Sequence, residues 1–292
     1  MEKKKLQELN LMDDFLMNRI VSDPECGNAF AQFILRTILG RDMGKLLVIP
    51  QKVEYGEDTD KHGIRMDVYM DEDEADIFDL EVDQTRDILE RASLPKRVRF
   101  YHAKVDVGIL ASGAGYDKLR DVCVIFIVNY DPFGLNRMVY TVKNFCKEEP
   151  DMLYEDGATT IFLYTKGTTG NPPKELQQLL HYMEETTEAN ANNEELQKVH
   201  KMVQRVKKKK ETELAYMELY EIVRREKRIA ARKGKAKGKA EDVLLLLEEA
   251  GSIPDELREY IMAESDEETL KQWLKAAAVA DSIETFRGAV SI

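Results

Sequence analysis

The sequence predicts an α/β fold with a mixed sheet, followed by a helical C-terminal extension. Apolar residues recur at helical spacing over residues 6–40, and two segments of alternating apolar residues follow at 64–70 and Ile77–Asp83. A continuous apolar run at Val122–Val128 is typical of a strand buried on both faces. Beyond Lys174 the pattern is helical, which confines the sheet to the first part of the chain.

Prolines, glycines and an acidic run set the predicted boundaries of these elements. Pro24 divides the first helical stretch into two helices, and Gly40 suits the end of the second. Pro95 suits the first turn of a helix over residues 94–110. The acidic run at residues 71–76 indicates a turn that joins the two alternating segments as an antiparallel hairpin. Shorter strands are predicted at 46–50, 140–142 and 160–164.

The composition of the 292 residues indicates a globular protein that is acidic on average. Hydrophobic residues make up 43% of the chain, and the net charge is −12. The chain has no apolar run of about 18 residues, so no membrane span is expected. The N-terminus lacks an apolar signal segment, which favours a cytoplasmic protein. Cys26, Cys123 and Cys146 form no CxxC pair, so ordinary reduced thiols are expected rather than a structural zinc site.

The predicted hairpin brings three acidic residues together. If the chain turns about residue 74, Asp67 faces Glu81 across the strands, and Asp83 shares the face of Glu81. Three carboxylates form a hard-oxygen site that suits Mg²⁺ or Mn²⁺. Acidic residues are also common on solvated strand faces, so spacing alone leaves both interpretations open. The apolar setting of the segment IFDLEVD favours the metal site, because buried carboxylates that face each other destabilise a sheet unless a cation compensates.

Three segments in a fixed order carry a resemblance to a known family. They read RMDVYMDEDEADIFDLEVD, SLPKRVRFYHAKVD and VCVIFIVNYDPFG. In this series the chain resembles the PD-(D/E)XK nuclease-like transposase family, which overlaps the recombination-promoting nuclease (Rpn) family. The resemblance implies a restriction-endonuclease-like αβββαβ core. It also implies a divalent-metal-dependent DNA endonuclease associated with recombination or mobile elements.

The resemblance assigns roles to the hairpin residues. Asp67 matches the first acidic metal ligand, Glu81 matches the second, and the backbone carbonyl of Val82 would lie beside the metal. Asp83 stands at the third catalytic position, where active nucleases usually carry Lys and many members of this group carry Gln. Lysine would orient the attacking water and stabilise negative charge, whereas Asp83 could act as a third ligand or a general base. Gln84 follows, but strand alternation directs it to the opposite face unless a bulge re-aims it.

The flanking helices offer further candidate residues. Arg97, Tyr101 and Lys104 lie at i, i+4 and i+7 on one helix face, where they could contact a phosphate beside the metal. The alternative is an ordinary amphipathic helix that packs on the sheet. Asp14 is a weaker candidate, because it could add an acidic group to the site or simply be an N-terminal helix charge. The DPFG segment at 131–134 is expected to be a structural turn.

The C-terminal half of the chain is strongly polarised in charge. Residues 201–239 contain 15 basic and 5 acidic residues, whereas residues 240–292 contain 4 basic and 13 acidic residues. The basic segment could bind the DNA backbone without sequence preference, or it could pair in cis with the acidic tail. The tail has enough apolar residues for a small bundle, or for an oligomerisation surface that would make the chain a homodimer. The lysines expected to contact nucleic acid are Lys207, Lys208, Lys209 and Lys210.

The sequence therefore predicts four regions and leaves three functions open. The regions are a nuclease-like core at 1–172, a helical region with the basic segment at 173–232, a Gly/Lys hinge or frayed helix at 233–239 and an acidic helical tail at 240–292. The first function is a metal-dependent deoxyribonuclease. The second is a degenerate nuclease-fold protein that binds nucleic acid or a protein partner without cutting. The third is an interaction protein whose basic and acidic segments pair with each other or with a partner chain.

Overall fold

A six-stranded mixed sheet forms the centre of the first part of the chain. The structure, a computed structural model, describes residues 4–54, 64–73, 75–152 and 154–291. The strands are β1 (Leu46–Glu54), β2 (Ile64–Glu72), β3 (Ile77–Asp83), β4 (Val122–Val128), β5 (Val139–Val142) and β6 (Ala158–Tyr164). They lie in the order β1-β2-β3-β4-β6-β5. The pairs β3–β4 and β4–β6 are parallel and the other three pairs are antiparallel, which confirms the predicted mixed sheet.

Nine α-helices accompany the sheet in the described part of the chain. They are α1 (Asp14–Val21), α2 (Gly27–Leu39), α3 (Ile88–Ile109), α4 (Lys174–Glu184), α5 (Glu194–Lys208), α6 (Lys210–Ala250), α7 (Asp255–Ala263), α8 (Glu267–Ala277) and α9 (Ile283–Val290). The gap between α1 and α2 falls at Pro24, as predicted, and Gly40 ends α2 with a positive φ of 68°. Over the described residues, none of these helices is long and apolar enough to cross a membrane.

The predicted hairpin is confirmed by the pairing of β2 with β3. Val68 stands opposite Leu80 in an antiparallel register that is centred on residue 74. Continued by one residue, the same register sets Asp67 opposite Glu81. The turn residues and the alternation of side chains predict this register. A shift of one residue would exchange the two faces of the strand, so the register is strongly specified.

Helix α3 begins earlier than predicted. The sequence predicts its start at residue 94 with Pro95 in the first turn, whereas the helix begins at Ile88 and Pro95 lies inside it. The carboxylate of Asp87 accepts the backbone N–H groups of Leu89 and Glu90 and so caps the helix. Proline lacks an N–H and removes one helical hydrogen bond, a loss that burial of the apolar face of α3 on the sheet offsets.

Helix α3 covers one face of the sheet and leaves a fully buried central strand beneath it. All seven residues of β4 are buried, which confirms the prediction for Val122–Val128. Tyr101 of α3 contacts the ring of Phe126 on β4, with ring centroids 6.1 Å apart. The buried residues on this face include Leu94, Val98, Tyr101, Val105, Val124, Phe126 and Phe162.

Strand β1 is longer than predicted. It pairs with β2 from Leu46 opposite Glu72 to Glu54 opposite Ile64, with an interruption at Gln51, instead of ending at Pro50. Because β1 is an edge strand, a proline in it need not break the sheet. Strands β5 and β6 also begin one and two residues before the predicted positions.

Residues 233–239, predicted to be a hinge or a frayed helix, lie within the continuous helix α6. Alanine and lysine are strong helix formers and offset the cost of two glycines. Ala236 and Ala240 are buried in a hydrophobic cluster, whereas Gly234 and Gly238 face open space. The alanines therefore hold the helix through packing that the repetitive composition does not reveal.

The chain divides into two compact units, Met1–Leu214 and Ala215–Ile292. The boundary predicted from the sequence lies at residue 172 instead. Helices α4 and α5 belong to the first unit because α4 contacts α2 and α5 contacts α1. In the second unit the acidic tail forms the small bundle that was one of the two predicted alternatives, with α9 as an additional helix. Its core includes Val243, Leu247, Leu257, Ile261, Leu270, Trp273 and Phe286.

Candidate functional site

Asp67 and Glu81 lie side by side where the β2–β3 pairing ends. The backbone N–H of Asp67 donates to Glu81 Oε1 at 2.7 Å, and the N–H of Val82 donates to Asp67 Oδ2 at 3.2 Å. Each carboxylate therefore binds the backbone of the opposite strand. The N–H and carbonyl of one strand residue point to the same side, so the Val82 carbonyl is also directed toward β2.

Two side chains from α3 reach the same carboxylate. Arg97 Nη2 lies 3.1 Å from Glu81 Oε2, and the hydroxyl of Tyr101 donates to that oxygen at 3.3 Å. Arg97 Nη1 lies 3.0 Å from Asp83 Oδ2. The i, i+4 spacing places Arg97 and Tyr101 on one helix face, and this face packs over β3 and β4. Arg97 consequently bridges Glu81 and Asp83.

Asp83 and Gln84 point in different directions. The second oxygen of Asp83, Oδ1, accepts the backbone N–H of Thr85 at 2.7 Å. Gln84 donates its side-chain amide to the carbonyl of Met12 and accepts a hydrogen bond from Asn129 at 3.3 Å. The structure therefore places Asp83 beside Glu81 and directs Gln84 away from it, as strand alternation predicts.

Burial and like charge raise the pKa values of the carboxyl groups around this point. Burial, and then the charge of Asp67, raise the pKa of Glu81 to about 8. Burial raises the pKa of Asp67 as well. At the start of α1, burial and the charge of Asp67 raise the pKa of Asp14 to about 6, so the fold brings Asp14 within electrostatic reach of the hairpin. Together with Asp79 and Asp83, these three residues form what we call the carboxylate cluster: Asp14, Asp67, Asp79, Glu81 and Asp83.

Asp79 belongs to the carboxylate cluster but was not among the site residues predicted from the sequence. Its side chain is fully buried, and neither carboxyl oxygen has a hydrogen-bond partner among the described residues. Burial, followed by the charges of Glu81 and Asp67, holds the pKa of Asp79 well above its usual range. The signal was present in the segment IFDLEVD, where Asp79, Glu81 and Asp83 occupy alternate positions on one face.

Substitution of Asp79 by asparagine should flatten the pH dependence of stability. A raised pKa means that the folded chain keeps a proton that the unfolded chain has lost, so wild-type stability falls as pH rises above about 4. We expect Asp79→Asn to be more stable than the wild type by about 1–2 kcal/mol at pH 8 and by less at pH 5. Urea unfolding in EDTA at both pH values measures this difference. The exposed Asp117→Asn serves as a control, and parallel curves for Asp79→Asn and wild type would contradict the assignment.

The three residues of α3 that were predicted to contact phosphate differ in their contacts. Arg97 and Tyr101 engage Glu81, as described above. Lys104 lies about two helical turns from Arg97, with its ammonium 5.7 Å from the ring centroid of Phe100. Arg97 and Tyr101 are therefore in contact with the carboxylate cluster, and the contact found for Lys104 is with an aromatic ring.

The predicted lysine run divides into buried and exposed side chains. Lys207 is only 2% exposed, and its ammonium donates to the carbonyls of Gln7 and Leu9 at 3.0 and 2.6 Å. The prediction that Lys207 contacts nucleic acid is therefore wrong. The sequence feature that indicates this burial is the four-residue spacing between Val203 and Lys207. This spacing places Lys207 on the apolar face of α5 with the buried Val203.

The other lysines of the run differ in their freedom to bind a ligand. Lys209 forms ion pairs with Asp23 at 2.6 Å and with Glu25 at 3.3 Å. Lys208 and Lys210 are exposed. The two exposed lysines are thus the members of the run that are open to a phosphate backbone.

The carboxylate cluster fits a hard divalent cation in the chemistry of its donors. Carboxylate and carbonyl oxygens are the ligands that Mg²⁺ prefers, and the buried carboxyl group of Asp79 has no hydrogen-bond partner among the described residues. Within the described ranges, no three His, Cys, Asp or Glu side chains converge as a metal-binding group. Comparisons with protein-family models, curated proteins and solved structures found no match to this chain.

Proposed function

We propose that this chain is a divalent-metal-dependent DNA endonuclease that hydrolyses phosphodiester bonds. The observation that carries the proposal is the meeting of Asp67 and Glu81 across a buried hairpin, in contact with Arg97. The element order α2-β1-β2-β3-α3-β4 agrees with the αβββαβ core that the sequence resemblance implies. The same resemblance suggests a role in recombination or in mobile elements.

Asp67, Glu81 and the Val82 carbonyl would hold Mg²⁺ or Mn²⁺. Such an ion, when bound, lowers the pKa of a coordinated water and neutralises charge on the phosphodiester. The chain itself orients the ligands before any ion arrives, because backbone N–H groups hold one oxygen of Asp67 and one oxygen of Glu81. Preorganised ligands lose little conformational entropy on binding.

Arg97 offers the positive charge that Asp83 cannot provide. In active nucleases of this type a lysine stabilises charge on the phosphate, and here the guanidinium of Arg97 lies between Glu81 and Asp83. Its side chain is 38% exposed, so an incoming phosphate can reach it. Asp83 then acts as a positioning residue, because its contact with Arg97 aims the guanidinium at the cluster.

The same contacts of Arg97 support a second candidate function. A guanidinium bound to Glu81 and Asp83 neutralises carboxylates much as a metal ion would, and thus acts as an internal counterion. On this alternative the chain is a degenerate nuclease-fold protein that binds nucleic acid or a protein partner without cutting. The exposed Lys208 and Lys210 would then contribute to binding in a salt-dependent way.

Nicking of supercoiled plasmid by the full chain separates the two functions. We expect nicked product with Mg²⁺ or Mn²⁺ and none in EDTA. A parallel preparation of Asp67→Ala controls for contaminating nuclease and should give no product. If no metal supports nicking while the chain still shifts the mobility of DNA in EDTA, the non-cutting function is correct.

A further inference from the structure

A partly enclosed cavity of about 330 Å³ lies between α3 and the β5–β6 edge of the sheet. Cavities of this size are at the lower end of those that bind small molecules. Its wall is mainly apolar and aromatic, and none of the residues that form it belongs to the carboxylate cluster. The wall includes Val98, His102, Phe133, Val142, Thr160 and Phe162.

The aromatic wall of the cavity is held in place by the turn that follows β4. The ring of Phe133 packs edge-on against Phe162, with centroids 5.1 Å apart, and against Tyr140 at 5.0 Å. Asp131 fixes this turn, because its carboxylate accepts the N–H of Phe133 at 3.1 Å and the hydroxyl of Tyr140 at 2.8 Å. Phe133 nevertheless remains 41% exposed. A planar ring can therefore contact a preformed aromatic surface.

The interior of the cavity is uncharged, and its rim is basic. Burial lowers the pKa of His102, which keeps the imidazole neutral, and its Nε2 lies 3.0 Å from the hydroxyl of Thr160. At the rim, Arg99 and Lys143 are exposed, and neither forms an ion pair with a carboxylate of the described chain. An aromatic interior beside two exposed cations matches a ligand with a planar ring and a negative charge.

The cavity opens on the same face of the sheet as the carboxylate cluster. Glu81 pairs in register with Phe126, and Phe126 pairs with Phe162 of the cavity wall. Two strand spacings separate Glu81 from Phe162, which is about 10 Å. Arg97 spans part of this distance, because its guanidinium lies 5.1 Å from the Phe126 ring centroid. A nucleotide in the cavity would thus lie close to a phosphodiester at the cluster.

We propose that this cavity binds an unpaired nucleobase of a nucleic-acid strand, with the adjoining phosphate held by Arg99 and Lys143. The inference rests on the proposed function, because it places a base beside the phosphate that the carboxylate cluster would hydrolyse. A base that remains paired in a duplex cannot insert between α3 and the sheet, so the strand must be single or locally open. The chain therefore prefers single-stranded or distorted DNA over a regular duplex.

Binding in EDTA tests this preference without any cleavage. Titration calorimetry with deoxyadenosine monophosphate, deoxyadenosine and inorganic phosphate measures the pocket itself, and fluorescence anisotropy compares a single-stranded oligonucleotide with its duplex. We expect the nucleotide to bind more tightly than either fragment, and the single strand at least about tenfold more tightly than the duplex. Lys143→Ala and Phe133→Ala should each weaken nucleotide binding about five- to tenfold.

Two further variants serve as controls for the binding measurements. Lys174→Ala removes an exposed lysine that lies outside the cavity and should bind like the wild type. Glu81→Gln should also bind the nucleotide normally, so a chain that fails to cut can still satisfy the inference. The proposal is overturned if the nucleotide binds no better than inorganic phosphate, if Lys143→Ala and Phe133→Ala both bind like the wild type, or if duplex and single strand bind equally.

Discussion

Replacement of Glu81 by glutamine is expected to lower metal-dependent nicking by about 10³-fold. Glutamine is close in size to glutamate but carries no charge, so the cluster would lose a ligand for the proposed cation and keep its packing. Glu81 is almost fully buried and accepts hydrogen bonds from Asp67, Arg97 and Tyr101, which fix its position at the centre of the cluster. Asp67→Asn should cause a loss of similar size for the same reason.

The rate of plasmid nicking in Mg²⁺ and Mn²⁺ measures this loss. Asp73→Asn offers a matched control, because it removes one carboxylate from an exposed position of the same hairpin. We expect this control to nick at the wild-type rate. Wild-type rates for Glu81→Gln and Asp67→Asn would exclude the carboxylate cluster as the catalytic centre, whichever metal is present.

Replacement of Arg97 by leucine should destabilise the fold by about 3 kcal/mol at pH 8. Removal of one partner from a buried ion pair commonly costs about 3–5 kcal/mol, and partial exposure of Arg97 reduces the expected value. Burial raises the pKa of Glu81 to about 8, so this carboxyl group is protonated near pH 5. Its burial without the guanidinium of Arg97 then costs less free energy. The loss should therefore be smaller at pH 5 than at pH 8.

Urea unfolding of Arg97→Leu, with and without Mg²⁺, measures the cost and also tests the cation site. If the cluster binds Mg²⁺, the ion replaces the lost guanidinium and should restore about 1 kcal/mol or more at tenfold excess over its dissociation constant. Arg86→Leu removes an exposed arginine nearby and should show neither effect. Equal stability of Arg97→Leu with and without Mg²⁺ would favour the internal-counterion function over the metal-dependent one.

The hairpin could be predicted from the sequence because its determinants are local. Side chains alternate strictly along a strand, and the acidic run at 71–76 locates the turn, so the opposition of Asp67 and Glu81 needs no distant contact. The same reasoning directs Gln84 away from the cluster, as found. Asp79 could have been included on this basis, because it shares the face of Glu81.

One wrong expectation overlooked a local signal, and the others depend on packing between distant segments. The start of α3 depends on the cap at Asp87, which was not considered when Pro95 was placed in the first turn. Helix α6 continues through residues 233–239 because buried alanines pack in the second unit, a contact that composition cannot show. Lys207 lies on the apolar stripe of α5, where burial against the N-terminal segment separates it from the rest of its charged run.

By itself, the sequence determined the α/β class, the hairpin and the two carboxylates that face each other across it, because strand alternation and turn chemistry act over a few residues. The tertiary structure decided which charge meets those carboxylates. Arg97 reaches Glu81 and Asp83, and Asp14 comes within reach of Asp67, because two helices pack against the sheet. Contacts of this kind depend on the position in which a helix packs against the sheet, and that position is fixed only when the whole core is assembled.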